Sequence, residues 1–274
     1  MFDLLLWPFI ACVVLTGIHA YLGMHVIKRG VIFVDLALAQ TAALGTLAGF
    51  ACGITMHSGG SYLISLGFAL AGALFFAWAR PLEKIVPQEA VIGITYVFAA
   101  AAAVLILSKA PSEAEHIKDM LVGNILFVKP EEVIKTAVLY GAIGAFHFIF
   151  RKKFWLVTDD CDEACREKIN IPLWDFLFYA SFGAVVTSSV GIAGVLLVFS
   201  YLIIPAICST MLAKTLKNRL LISWGLGIAC SLGGMALSVY KDLPTGASIV
   251  AVFGGMFALF LAGKSIMMGK RNAK

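Results

Sequence analysis

The stretch RGVIFVDLALAQTAALG, residues 29–45, carries an acid and an amide, Asp35 and Gln40, inside an otherwise apolar run. The apolar run before it holds His19. Carboxylate, amide oxygen and imidazole are all groups that can contact a cation. An ionisable group in hydrocarbon costs at least about 2.5 kcal/mol, so each must face a partner, a cavity or water. At about 1.5 Å per helical residue, Asp35 lies roughly 6 Å, His19 roughly 10 Å and Gln40 about 14 Å from the same membrane surface. These depths allow the three to meet as transient contacts for an ion. Five residues turn a helix by about 500°, so Asp35 and Gln40 point some 140° apart and one face cannot present both. Each has a plainer role beside the functional one. Asp35 can pair with Lys28 or Arg29, Gln40 can hydrogen-bond between helices, and His19 can be a satisfied packing histidine. His147, beside Arg151-Lys152-Lys153, reads as interfacial.

Other chemistry is thin. There is no phosphate-binding loop: Gly263-Lys264-Ser265 supplies the tail of one, but Ala258 stands where its first Gly belongs, within an apolar span. No H-E-x-x-H, G-x-S-x-G or paired-Cys motif occurs, which counts against an intramembrane enzyme. Cys161 and Cys165, four apart in TDDCDEACREK (158–168), are spaced for one helix face. A solvated charged helix is the ordinary reading of that run, and a regulatory metal or redox site the alternative.

These residues must be positioned by membrane helices. The chain has 274 residues, of which 61% are hydrophobic and only 14% charged, far from the balance of a soluble domain. Apolar runs of about 20 residues, the length that crosses the bilayer as a helix, recur throughout. Alternating segments of about ten residues, the mark of a β-barrel, do not. The fold class is therefore an all-α polytopic membrane protein forming one domain, 1–274, with about nine spans (eight is the alternative count). The spans lie near 5–26, 31–54, 61–79, 89–108, 132–150, 173–190, 193–213, 219–238 and 246–263. Nine alternating spans put sixteen of the 21 Lys and Arg on one side. By the positive-inside rule that side is cytoplasmic, with the N-terminus outside and the C-terminus inside. The first run has no basic leader segment and reads as a mature span. On the outer side MLVGNILFV, 120–128, is too short to span and too apolar for a free loop, so it reads as a re-entrant or interfacial turn held by Gly123 and Asn124. On the inner side YLIIPAICSTMLAKTLKNRLLISWG, 201–225, reads as a span end followed by a short amphipathic basic turn, through Thr210, Lys214, Lys217 and Arg219. Such a turn suits an acidic groove on a soluble partner; plain positive-inside flanking explains its charge equally well. Basic residues lead a small-residue-rich span at 28–50 and again at 217–238, too little to define duplicated halves.

Taken in order, LGMHVIKRGVIFVDLALAQTAALG (22–45), VGNILFV (122–128), VGIAGVLLVFSYLIIPA (190–206), the basic turn after it and DLPTGASIVAV (242–252) resemble the permease subunits of the manganese/zinc/iron ABC-importer family. The resemblance covers nearly the whole chain and implies a bundle like that of the cobalamin-type (type II) importers. It implies a homodimer of permeases in a prokaryotic inner membrane. A cytoplasmic ABC ATPase would dock on the turn near 207–219, and a metal-binding receptor would deliver to the outer face. ATP would be bound by the partner, and this chain would bind no cofactor and no nucleic acid. Many such permeases carry an Asp and, four residues later, a His facing the pathway in the second span. Aligning Arg29-Gly30 and Gly45 without gaps puts Leu36 at the Asp position and Gln40 at the His position, with Asp35 one residue early. An amide oxygen is a poor zinc ligand beside imidazole or thiolate. The expected function is an importer permease for zinc, manganese or iron. Importers of a metal chelate or other small solute, and a stand-alone channel or secondary transporter, are the alternatives.

Overall fold

The computed structural model describes residues 2–55, 58–108, 123 and 125–272. Nine helices among the described residues are long and apolar enough to span a membrane. In chain order these are α1 (Phe2–Arg29), α2 (Val34–Ala51), α3 (Gly59–Ala79), α4 (Gln88–Leu107), α5 (Pro130–Ile149), α8 (Ile171–Ala193), α9 (Val195–Leu212), α10 (Leu216–Lys241) and α11 (Thr245–Asn272). Two short helices, α6 (Arg151–Asp159) and α7 (Cys161–Arg166), join α5 to α8. The helix boundaries follow local chemistry. Ser58 and Thr215 cap α3 and α10 by accepting the Ser61 and Asn218 backbone N–H groups. Asn170 does the same for α8 through Leu173 N–H, with Pro172 in the first turn. Between α8 and α9 the chain breaks at Gly194, whose φ of +77° strains any side-chain-bearing residue.

Two helices, α8 and α9, form the middle of the bundle. Phe178, Tyr179, Phe182 and Val186 on α8 and Leu197, Tyr201 and Leu202 on α9 are fully buried. Around them α1 packs on α5, α6, α9 and α10, whereas α2 packs on α3, α4 and α8. Thus α1 and α2, consecutive in sequence, belong to different sides. Small residues set the separations: a Cβ on Gly23 of α1 would lie 2.0 Å from the Leu202 carbonyl oxygen of α9.

Of the apolar outer segment 120–128, residues 120–122 and 124 lie outside the described residues, as does most of the loop before it. The remainder agrees with a turn held inside the protein. Ile125 is fully buried at the start of a 3₁₀ turn, Ile125–Phe127, which packs on α1 and α11. Gly123 has a φ of +67°, and a Cβ there would meet the Ala193 and Gly194 backbone at 2.2 Å and 2.3 Å.

The inner turn differs from expectation. There is no separate amphipathic segment: α9 ends at Leu212 and α10 begins at Leu216, so Lys217 and Arg219 lie in the first turn of α10. The Thr215 cap starts the helix early, and Arg219 Nε donates to the Ala213 carbonyl (2.9 Å), closing the connection.

Gly23→Val should block the α1–α9 approach. Overpacking costs about 1–3 kcal/mol, and with backbone as the obstacle the upper end is expected. A lowered thermal midpoint and loss of the monodisperse peak in size-exclusion chromatography would report it, while Gly17→Ala, whose added Cβ meets nothing within 4 Å, should leave both unchanged.

Candidate functional site

At the basic end of the bundle the last residue of α1 meets the first turns of α8. Arg29 Nη1 donates to Asp175 Oδ1 at 2.6 Å, and both side chains have 0% exposure. Arg80, following α3, approaches the other carboxylate oxygen at 3.7 Å and also pairs with Glu83 at 3.0 Å. Arg80 Nη1 donates to Gln88 Oε1 (2.9 Å), joining the start of α4 to the group. Arg29 Nε donates to Thr158 Oγ1 (3.0 Å), which shares a second hydrogen bond with His25 Nδ1 (2.8 Å). The Arg29 guanidinium also sits 4.1 Å above the Phe178 ring. One carboxylate therefore collects two guanidinium groups, and five helical segments are tied at one level. In the sequence alone Arg29 reads as a flanking charge or a partner for Asp35. Its partner is Asp175, and the remaining candidate, Lys28, pairs with Asp159 at 2.6 Å on the exposed surface. A signal for Asp175 is present in the sequence: it is the lone acid in the apolar run IPLWDFLFYA.

Asp35 is buried at the start of α2. Its Oδ1 accepts the Leu36 backbone N–H (2.8 Å), and its Oδ2 is buried with no hydrogen-bond partner among the described residues. Glu89 from α4 accepts the Phe33 N–H (3.1 Å) just before the same helix. Two carboxylates thus answer the donors and positive dipole of the α2 N-terminus. Gln40 points elsewhere. Phe33, Leu36, Gln40, Leu44 and Ala48, three or four residues apart, form the stripe of α2 that its own chain leaves partly uncovered. Val34, Asp35, Ala37, Leu38 and Ala39 turn inward.

His19 does not join Asp35 and Gln40. Its Nδ1 faces the Leu15 carbonyl at 2.7 Å, which fixes the proton there and leaves Nε2 as acceptor beside Ser189 Oγ at 3.1 Å. Tyr140 of α5 bonds the same Ser189 hydroxyl, closing a buried polar cluster across α1, α5 and α8. Helices α1 and α2 do not pack side by side, so similar depth along each helix could not bring the groups together. His147 is likewise buried rather than interfacial: Nε2 meets Ser181 Oγ (2.8 Å), Nδ1 meets Tyr21 Oη (3.3 Å), and the ring stacks on Phe154 at 4.1 Å. Cys161 Sγ accepts from Arg80 Nη2 at 3.2 Å, whereas Cys165 is exposed. Among the described residues no three His, Cys, Asp or Glu side chains are grouped to hold a metal ion. Thr210, Lys214, Lys217 and Arg219 cluster at the α9–α10 connection, with Lys214 and Lys217 exposed and Arg219 half-buried.

The model for the ABC 3 transport family matches residues 1–264. A "Probable iron transport system membrane protein" of Haemophilus influenzae is 26% identical over 285 residues, covering 100% of this chain and 98% of its own length. The "Manganese import system permease protein ScaB" of Streptococcus gordonii is 24% identical over 267 residues, covering 97% of this chain and 93% of its own. In fold, the chain matches the structure of PsaBC from Streptococcus pneumoniae in complex with Fab, with a TM-score of 0.78 at 22% identity, over 95% of this chain and 91% of that one.

The charge cluster makes a two-step expectation. Asp175→Leu leaves Arg29 desolvated without its carboxylate, and breaking a buried pair in this way costs about 3–5 kcal/mol. Adding Arg29→Met should recover most of that loss. Thermal unfolding of the purified single and double variants measures both steps, and a double variant no better than the single one would show that the pair is not the linchpin.

Proposed function

The chain belongs to the ABC 3 transport family, and on that premise we propose that it is the membrane permease of an ABC importer for a divalent transition-metal ion. Two copies form the pathway, and ATP is hydrolysed on a separate cytoplasmic subunit docked at the basic end. An extracytoplasmic receptor delivers the ion at the other end, where the N-terminus lies. The relatives' names for manganese and iron systems support this cargo class. The observation that carries the reading is the uncovered stripe of α2 with Gln40 in its middle. It is the surface that a second copy can face, and it contains the positions, Leu36 and Gln40, that the family resemblance singles out.

Chemically, Gln40 offers a neutral amide oxygen, a weak contact for a dehydrating cation. Weak contact suits conduction, because an ion must leave as readily as it enters. Asp35 lies behind the stripe, inside the bundle, where it accepts the Leu36 backbone N–H at the start of α2. His19, with both ring nitrogens engaged, positions α1 rather than touching the ion.

Docking is supported by a charge anomaly. Lys217 and Arg219 occupy the first turn of α10, which has no acid there. Cations at a helix N-terminus oppose the macrodipole by about 0.3–1 kcal/mol each, so helix stability does not account for them. An acidic surface on the ATPase does. When that subunit closes on ATP, movement of this connection would reach α9 and α10 directly.

Accumulation of manganese, iron and zinc in cells expressing the chain with its cognate ATPase and receptor tests the cargo. A polar contact to a charged species is worth about 1.5–3 kcal/mol, so Gln40→Ala should change the initial rate about tenfold without changing the amount of protein or its melting. No accumulation of any of the three metals by an assembled complex would overturn the direct-ion reading. Separately, Lys217→Glu with Arg219→Glu should weaken ATPase binding about tenfold or more and abolish its salt dependence, read by co-purification at increasing ionic strength.

A further inference from the structure

A groove of about 560 Å³ opens on the side of the bundle at its basic end. Its floor is α1 at Gly17, and its walls are α5 at Gly144 and the first turns of α10. Trp155 and Trp224 line it, with Trp224 Nε1 donating to the Gly17 carbonyl (3.1 Å) and so bridging wall to floor. The charged residues of the lining are Arg151 and Lys217, and it contains no acid. Arg151 is held at the mouth by donating Nη1 to the Phe148 carbonyl (3.0 Å) while its guanidinium lies 4.5 Å from the Phe148 ring centre. The described residues offer the rest of its fork no partner. No lining residue comes from α2, α3 or α4, so the groove is separate from the α2 stripe.

These features together select a ligand class. The groove lies where α5 ends and α10 begins, which is the membrane boundary. Tryptophans are at home at that depth, and the volume falls in the range of about 300–1,000 Å³ typical of ligand sites. An apolar trough with cations only at its boundary end matches a molecule with a hydrocarbon tail and an anionic head. Basic pockets between membrane helices bind acidic lipid headgroups on this principle. We propose that the groove holds one anionic phospholipid of the adjoining leaflet, an acyl chain lying along Gly17 and Gly144 and the phosphate on Arg151. The lipid would brace α1, α5 and α10 beside the turn that carries Lys217. This assignment does not depend on which solute the protein carries.

Native mass spectrometry of the purified full-length chain, titrated with dioleoyl phosphatidylglycerol or dioleoyl phosphatidylcholine, tests it. One phosphatidylglycerol per chain should survive activation that strips phosphatidylcholine. Arg151→Gln should weaken that binding about tenfold, the loss of one charge-assisted hydrogen bond. Gly144→Leu should do the same by filling the trough, since a Cβ there meets nothing within 4 Å and folding is not obstructed. Lys152→Gln, an equal charge change one residue outside the lining, should leave binding as it was. Equal losses from Arg151→Gln and Lys152→Gln would reduce the effect to general surface charge and overturn the site. Equal retention of the two lipids, or full retention of phosphatidylglycerol by both Arg151→Gln and Gly144→Leu, would overturn it as well.

Discussion

The buried pair between Arg29 and Asp175 is the constraint on which the basic end of this bundle depends. Among the described residues Arg29 has no other carboxylate, and in the packed interior an unpaired charge is costly. Arg29 closes α1 and Asp175 opens α8, so their 2.6 Å contact fixes the exit of one helix against the entry of another 146 residues later. Arg80 adds the end of α3 through the second oxygen, and Thr158 adds α6. A membrane helix otherwise finds its neighbours through small residues and shape, which tolerate sliding. A desolvated guanidinium–carboxylate contact does not tolerate it, so the ladder of packing contacts above it is set in register from this end.

From that anchor the helices divide into two kinds of contact. Side-chain hydrogen bonds connect α1, α5, α6 and α8 through His19, Ser189, Tyr140, His25, Thr158, His147 and Ser181. Polar networks that cross between helices in this way favour one arrangement. Helix α2 is different: Ser65 of α3 bonds the Ala42 carbonyl, Glu89 of α4 bonds the backbone before its first turn, and the rest of its contact is mostly Ala and Gly against apolar neighbours. Small sliding movements of packed helices are the cheap kind of conformational change. The attachments of α2, the helix with Gln40 on its uncovered stripe, are of the kind that permits such sliding.

Nine spans were legible because hydropathy reports directly on solvent, and in lipid every spanning segment must close its own hydrogen bonds. Boundaries shifted where a cap or a special backbone conformation intervened: Thr215 starts α10 before the apolar run begins, and Gly194 ends α8 after the place where the composition changes. Neighbour relations were not legible. Depth along a helix is a one-dimensional quantity and says nothing of which helices are neighbours. Whether two helices lie side by side depends on which faces are small and which acid finds which base, and no periodicity in this chain encodes that. The rotational argument did hold, since a five-residue separation predicts that Asp35 and Gln40 diverge, and they do.

Divergence of those two residues explains why an acid and an amide stand in one greasy helix. A carboxylate on the uncovered stripe would be a strong electrostatic trap for a divalent ion. Turned inward, Asp35 instead serves the start of its own helix by accepting the Leu36 backbone N–H. The amide is left as the polar group on the stripe at mid-membrane depth, neutral in every protonation condition of the cell. The acid is thus committed to the start of α2, and the amide stands on the surface that the bundle leaves uncovered.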